Sequence, residues 1–185
     1  MSSKRAAVLL ADGFEEIEAV VPIDLLRRGG IDVAVVGIAR KEVTGSHGVT
    51  VSADVLLENL DYRSFDAVIL PGGMPGSKNL AESPGVQKMV LNMDAEGKLV
   101  AAICAAPAVV LGPLGILDGK KASCYPGMES HAPNAEFTDA PVTADGNVIT
   151  AQGPGKSAQF ALAVLEYLAG ADVSLEVGTK SLFIS

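Results

Sequence analysis

The chain has 185 residues, a length typical of one domain, and its 14 Lys and Arg against 22 Asp and Glu give a formal net charge of −8. This balance argues against nucleic acid as a partner, because binding to phosphates needs clustered basic residues. Two cysteines are too few for a disulfide framework or a Cys-rich zinc site, and no apolar run reaches the roughly 18 residues of a membrane span. We therefore expect a cytoplasmic protein that forms a single domain over residues 1–185.

Short apolar runs alternate with longer segments of helical period along the whole chain. In chain order, the pattern predicts a strand at Ala6–Leu10, a helix at Glu15–Arg28, a strand at Asp32–Gly37, a hairpin within Val43–Val51, a strand at Asp66–Leu70, a helix at Pro84–Glu96, a strand at Leu99–Ile103, a helix at Ala106–Leu114, a short strand at Lys121–Cys124, a hairpin turn at Asp145-Gly146-Asn147 and a last helix at Gly155–Leu168. Such alternation predicts an α/β fold with a mostly parallel sheet and helices on both faces.

Cys104 lies directly between a predicted strand and a predicted helix. A sharp turn there would lift the side chain out of the sheet, and the helix N-terminus behind it would lower the pKa of the thiol. The amide of Ala105 could then donate to an oxyanion. Gly72-Gly73 ends the neighbouring strand and could point further amides at an anion. A small buried core cysteine and an ordinary Gly-Gly turn are the alternatives.

Glu18 falls on the apolar stripe of the first helix, with Phe14, Val21 and Leu25 at spacings of 4, 3 and 4. Burial of a carboxylate is costly, so we expect its pKa to be raised and its protonated form to hydrogen-bond the Cys104 sulfur. The alternative is a glutamate at the helix edge that reaches solvent. Pro22 cannot donate to the Glu18 carbonyl, which indicates a local kink.

The two histidines, His47 and His131, do not form a metal site with the two distant cysteines, and both are expected at the surface. We therefore predict no metal and no cofactor, and a carboxylate rather than an imidazole as the partner of Cys104. The segment from Thr150 to Ser157 imitates a phosphate-binding P-loop, but Thr150 stands where that motif requires Gly, and Pro154 removes an amide donor. We expect this loop only to shape a pocket.

Several motifs together resemble the ThiJ/PfpI superfamily, and within it the clade of the parkinsonism-associated deglycase. The carriers span nearly the whole chain: Ser3-Lys4-Arg5-Ala6, Glu15-Glu16-Ile17-Glu18, Leu70-Pro71-Gly72-Gly73, Ala101-Ala102-Ile103-Cys104-Ala105-Ala106-Pro107 and Gln152-Gly153-Pro154-Gly155. The resemblance implies a flavodoxin-like sandwich, a homodimer through the first helix and the first hairpin, and a nucleophile-elbow cysteine that oxidises readily to sulfinate.

The resemblance also implies roles for individual residues. Cys104 would be the reactive cysteine, Glu18 its protonated partner, and Gly73 and Ala105, with Gly72 beside them, the backbone donors. Arg28, at the end of the first helix, would help to form an anion-binding pocket near the dimer interface, and the remaining pocket positions are His47, Tyr125 and Pro154. Two of them depart from the family pattern: some members carry His where Tyr125 stands, and relatives have Arg where His47 stands.

Three functions remain open from the sequence. The first is an enzyme in which Cys104 attacks a small carbonyl such as methylglyoxal, or a glycated adduct, and Glu18 moves protons. The second is an oxidative-stress sensor or redox-regulated chaperone in which the same cysteine becomes a sulfinate. The third is a plain binding or chaperone-like dimer. Both cysteine-based functions predict a low thiol pKa.

Overall fold

Eleven strands and five α-helices make up the part of the chain that the computed structural model describes, residues 4–184; Ser3, part of the first motif above, lies outside it. The strands are β1 (Arg5–Leu10), β2 (Asp32–Gly37), β3 (Glu42–Thr44), β4 (Thr50–Ser52), β5 (Val55–Leu56), β6 (Ala67–Leu70), β7 (Leu99–Ile103), β8 (Lys121–Ala122), β9 (Glu136–Phe137), β10 (Val142–Asp145) and β11 (Val148–Ala151). The α-helices are α1 (Glu16–Arg28), α2 (Gly76–Glu82), α3 (Pro84–Ala95), α4 (Ser157–Ala169) and α5 (Ala171–Lys180).

A seven-stranded sheet in the order β10-β11-β7-β6-β1-β2-β5 forms the centre of the fold. All of its pairings are parallel except that of β10 with β11, which the second predicted hairpin joins. The first predicted hairpin forms a separate ribbon of β3 and β4. The predicted α/β class with a mostly parallel, flavodoxin-like sheet is confirmed.

Hydrophobic cores lie on both faces of this sheet, because successive strand residues point to opposite sides. In β1, Ala6, Val8 and Leu10 belong to the core that packs against α1 and α4. The intervening Ala7 and Leu9 belong to the core that packs against α3 and the segment after β7. Because the inner strands run parallel, their carboxyl ends all emerge at one edge of the sheet.

The segment after β7 differs from the predicted helix Ala106–Leu114. It forms a five-residue π-helix, Pro107–Leu111, in which the Gly112 amide donates to the Pro107 carbonyl at 3.0 Å. Pro113 has no amide to continue the helix, and Gly112 packs against Ala132 too closely for any side chain. The helical segment after β7 is therefore limited to one turn of π-helix.

Other boundaries differ as well. The strand predicted at Lys121–Cys124 is only β8, and β5, β9, α2 and α5 have no predicted counterpart. The helix α1 runs as one element through Pro22. Within residues 4–184, no helix is both long and apolar enough to cross a membrane.

Candidate functional site

Cys104 adopts a left-handed backbone conformation, with φ of 65°, that residues with side chains rarely take. Two hydrogen bonds hold it there: its amide donates to the Ala151 carbonyl at 2.9 Å, and its carbonyl accepts from the Tyr125 amide at 2.8 Å. The residue thus sits on a sharp turn between β7 and the π-helix, as the sequence predicted for a nucleophile elbow. Its side chain is 8% exposed.

The Gly72-Gly73 turn lies against this elbow, because β6 pairs directly with β7. A Cβ atom at Gly72 would lie 2.5 Å from the Cys104 Cβ and 2.6 Å from Glu18 Oε2, so only glycine fits between them. Gly73 has a φ of 86°, and a Cβ atom added to it would lie 2.5 Å from the Glu15 amide nitrogen. The absence of side chains in this turn lets the carboxyl group and the cysteine share one small space.

Glu18 is fully buried and reaches this space from α1. Its Oε2 accepts a hydrogen bond from the Gly72 amide at 2.8 Å, while Oε1 has no well-formed hydrogen bond to any described residue. The Cys104 thiol is a second hydrogen-bonding neighbour of the Glu18 carboxyl group. Burial raises the pKa of Glu18 to about 7, which agrees in direction with the sequence expectation. The carboxyl group can therefore hold or release a proton near neutral pH.

The resting thiol does not have the low pKa that its position at a helix start predicts. Burial, and then the negative charge of Glu18, raise the pKa of Cys104 to about 12. The backbone amides of Gly73 and Ala105 act in the opposite direction, but they do not outweigh burial. The local helix dipole favours ionisation of the thiol, but the tertiary packing around the sulfur, which no local sequence pattern shows, opposes it. Protonation of Glu18 removes one of the charges that raise the pKa of Cys104, so a thiolate is less costly when Glu18 is neutral.

Glu15 and Glu16, at the start of α1, have specific partners. Glu15 caps α1: its Oε2 accepts from the Glu18 amide at 2.8 Å, and its own amide donates to the Gly72 carbonyl at 3.0 Å. Glu16 binds the first hairpin, where its Oε1 accepts from the His47 amide at 2.7 Å and its Oε2 lies 3.0 Å from His47 Nδ1. Gly72 and His47 lie far along the chain from α1, so no local sequence pattern indicates these two partners.

Among the described residues, Glu15, Glu16 and His47 form one group with ligand atoms close enough to share a metal ion, within 4.8 Å of one another. The His47 side chain is 74% exposed and already forms an ion pair with Glu16. This pair accounts for the cluster without a metal.

The remaining predicted pocket residues are placed differently. Tyr125 adjoins both Cys104 and Gly153, where its ring would contact any added side chain. Pro154 begins a 3-10 turn before α4 and lines a cavity of about 290 Å³ with Ile17 and Phe183 rather than with the cysteine. Arg28 pairs with Asp24 at the far end of α1, about 15 Å along the helix from Glu18.

Arg28 is thus outside the Cys104 site of this chain. The second cysteine, Cys124, is buried near Tyr125, and burial raises its pKa to about 12. His131 is exposed, as predicted, in a short 3-10 turn. A groove of about 630 Å³ between residues 57–63 and the start of α3 contains none of the predicted site residues.

Comparison with known proteins gives a family match over most of the chain. The DJ-1/PfpI family model matches residues 4–167. The Parkinson disease protein 7 homolog of Danio rerio is 42% identical over 182 residues, covering 96% of each chain. A protein named deglycase from Pyrococcus abyssi is 35% identical over 153 residues, covering 82% of this chain and 91% of that protein. Protein DJ-1 homolog B of Arabidopsis thaliana is 42% identical over 95% of this chain, which spans only 41% of that longer protein.

Solved structures agree with the fold. The crystal structure of DJ-1beta from Drosophila melanogaster has a TM-score of 0.94 and 41% identity, and each chain is covered completely. A structure of DJ-1 from Toxoplasma gondii in an oxidized form has a TM-score of 0.94 and 36% identity, covering 97% of this chain and 98% of that one.

Proposed function

This chain belongs to the DJ-1/PfpI family, and from that membership and the site geometry we propose that it is a cysteine-dependent enzyme acting on small reactive carbonyls or glycated amines. The observation that carries the proposal is the shared burial of Cys104 and Glu18 beside the Gly72-Gly73 turn. The Pyrococcus abyssi relative named deglycase supports the substrate class.

The proposed reaction begins with transfer of the Cys104 proton to Glu18. This transfer is uphill in the resting site, because the pKa of Glu18 is about 7 and that of Cys104 is about 12. Once Glu18 is neutral, however, the negative charge that opposes the thiolate is removed. The thiolate sulfur then forms a bond to the aldehyde carbon of methylglyoxal, and the carbonyl oxygen becomes an alkoxide. The amides of Gly73 and Ala105, which lower the pKa of the Cys104 thiol, are the nearby donors that could stabilise that oxygen.

Glu18 returns its proton to the alkoxide, which completes a hemithioacetal. Glu18 can then accept the proton from the carbon that carries this hydroxyl, while the hydroxyl proton passes to the neighbouring carbonyl oxygen. Glu18 returns its proton to the neighbouring carbon, and the first carbon and its oxygen form the C=O bond of a thioester. Attack by water releases lactate and restores the thiol. With a glycated amine, the sulfur would displace the amine from the carbon that it attacks, so that amine and hydroxy acid are the products. In both cases the net change is the addition of one water molecule.

The test compares wild type with Cys104→Ser and Cys124→Ser in buffer without amines. We expect methylglyoxal consumption and lactate formation to fall by roughly 100-fold or more in Cys104→Ser, since nucleophile and proton transfer are lost together. Cys124→Ser should retain the activity, because Cys124 does not contact Glu18. Equal rates in wild type and Cys104→Ser would contradict the proposal.

A second candidate function is redox sensing, which the oxidized Toxoplasma gondii relative favours. Two molecules of peroxide would each transfer one oxygen atom to the Cys104 sulfur and leave as water, giving a sulfinate. Protonated Glu18 and the two amides could bind its oxygens. Intact-protein mass after graded peroxide should show two added oxygens on wild type and none on Cys104→Ser. Oxidation of methionines before any change at Cys104 would contradict this function.

We also propose that the partner is a second copy of the chain. Ile17 and Val20 of α1 and Val49 of the first hairpin are each about half exposed, and together they offer an apolar surface near the site. Light scattering on the eluting protein should give the mass of a homodimer. The mass of one chain at micromolar concentration would contradict it.

A further inference from the structure

Three hydrogen bonds form a closed ring at the N-terminus of α1. The Glu15 amide donates to the Gly72 carbonyl at 3.0 Å, the Gly72 amide donates to Glu18 Oε2 at 2.8 Å, and the Glu18 amide donates to Glu15 Oε2 at 2.8 Å. Each residue is thus both a donor and an acceptor. Moving any one of them breaks two of the three bonds.

This ring fixes the parts of the site that surround Cys104. The start of α1 cannot shift without moving the Glu18 carboxyl group, and the Gly72-Gly73 turn cannot shift without losing its bond to Glu15. A Cβ atom on Gly73 would lie 2.5 Å from the Glu15 amide, so the two segments are already in contact. Glu15 bonds neither to the sulfur nor to the Glu18 carboxyl oxygens. It nevertheless holds Gly72 through its amide and the Glu18 backbone through its side chain.

Glu15 is a second acidic side chain beside Glu18, and its charge also acts on His47, whose ring nitrogen lies within 4.8 Å of its carboxylate. It is 8% exposed, and none of the ion pairs among residues 4–184 includes it. The nearby His47 pairs with Glu16 instead. A buried carboxylate next to another one opposes ionisation of its neighbour.

We propose that Glu15 is a positioning residue, which fixes the Glu18 carboxyl group and the Gly72-Gly73 turn against Cys104 and places a second negative charge beside Glu18. This inference rests on the proposed function for its meaning in catalysis, but its geometry is independent of any substrate. Glu15 makes no contact with the reacting atoms and acts only through Glu18 and the turn.

The effect of the Glu15 charge can be measured through the pKa of Glu18, which also depends on the other groups around that carboxyl. Cys104 faces it from the elbow after β7, and Glu15 faces it from its own helix; the Gly72 amide is the remaining polar neighbour. Negative charge on Glu15 raises the pKa of Glu18, and the bond from Gly72 lowers it. His47 and Glu16 lie on the hairpin side and are not among the groups that shift Glu18. Removal of the Glu15 charge should therefore move the titration of Glu18 to lower pH.

The test is a pH titration of the side-chain carboxyl carbon of Glu18 by NMR on uniformly carbon-13-labelled protein, with the resonance assigned by its loss in Glu18→Gln. In Glu15→Gln, which keeps an oxygen to cap the helix, we expect the midpoint to fall by roughly half a pH unit or more. Glu15→Asp keeps the charge and should restore a midpoint close to that of wild type. Glu16→Gln is the matched control and should leave the midpoint unchanged.

An unchanged midpoint in Glu15→Gln would overturn the inference, as would an equal shift in Glu16→Gln, which would indicate a general charge effect. If Glu15→Gln fails to fold, Glu15→Asp alone decides the question. A Glu18 midpoint equal to that of wild type supports the role of the Glu15 charge, whereas a midpoint that is lower by about half a pH unit or more overturns it. The titration uses no carbonyl substrate. A failed methylglyoxal assay with a shifted midpoint would thus contradict the proposed function alone.

Discussion

The buried carboxyl group of Glu18 should make the stability of the protein depend on pH in a way that one substitution removes. Its pKa is about 7 in the folded chain, against an ordinary value of 4.5. Below pH 4.5 both the folded and the unfolded chain bind this proton. Between pH 4.5 and pH 7 the unfolded chain releases it while the folded chain keeps it, so the contribution of Glu18 to stability falls as pH rises.

The size of this effect follows from the difference between the two values. A shift of this size corresponds to about 3 kcal/mol, at about 1.4 kcal/mol per pH unit. Glu18→Gln has nearly the same shape and does not titrate. The free energy of unfolding of Glu18→Gln, minus that of wild type, should therefore increase by about 3 kcal/mol between pH 4 and pH 8. The Cys104 thiol does not interfere, because it remains protonated throughout this range.

Urea unfolding of both proteins at several pH values measures this difference. Glu16→Gln is a control with the opposite sign. Burial acts to raise the pKa of Glu16, but the hydrogen bonds from His47 and Val49 outweigh it and the net pKa is lowered. Stability from Glu16 is thus present at neutral pH and lost as pH falls. If the difference between Glu18→Gln and wild type changes by less than about 1 kcal/mol over the range, the description of Glu18 as a buried, neutral acid is refuted.

Three further predictions concern packing around the site. Gly72→Ala places a methyl group 2.5 Å from the Cβ of the site cysteine, so its alkylation rate by iodoacetamide should change several-fold, whereas Gly155→Ala, which meets open space, should leave the rate unaltered. His47→Ala removes a bond that holds the first hairpin, so amide exchange at its tip should accelerate; unchanged exchange would show that the ion pair contributes nothing. Thr150→Val removes the buried acceptor of the Ser123 amide and should lower the free energy of unfolding, measured with urea, by about 1–3 kcal/mol. An unchanged free energy of unfolding would contradict a contribution from that bond.

The inner strands of the fold could be predicted from the sequence because they are buried on both faces. β2 and β7 have the predicted bounds, and β1 and β6 differ by one residue at the start. The same logic identified Glu18, since a carboxylate on an apolar stripe is visible in the spacing alone. Elements at the margins of the fold, such as β5 and α5, could not be predicted, because long-range contacts rather than local pattern decide them.

Two features of the site depend on tertiary contacts that the sequence does not show. Glu15 looked like an ordinary first-turn acid, since its partner Gly72 is on another element. The thiol pKa of Cys104 was predicted wrongly, because the local dipole favours ionisation and the surrounding packing, which opposes it, is assembled from distant segments. The predicted roles of these residues in chemistry stay predictions until the assays above are made.

The left-handed backbone of Cys104 has a thermodynamic consequence for the evolution of this protein. A residue with a side chain in that conformation costs about 1–2 kcal/mol relative to glycine, and the bonds to Ala151 and Tyr125 hold it in place. Glycine at this position would relieve the strain and remove the sulfur in one step. A cysteine at this position therefore carries a conformational cost that glycine would not, and the reactivity of the sulfur would have to outweigh that cost.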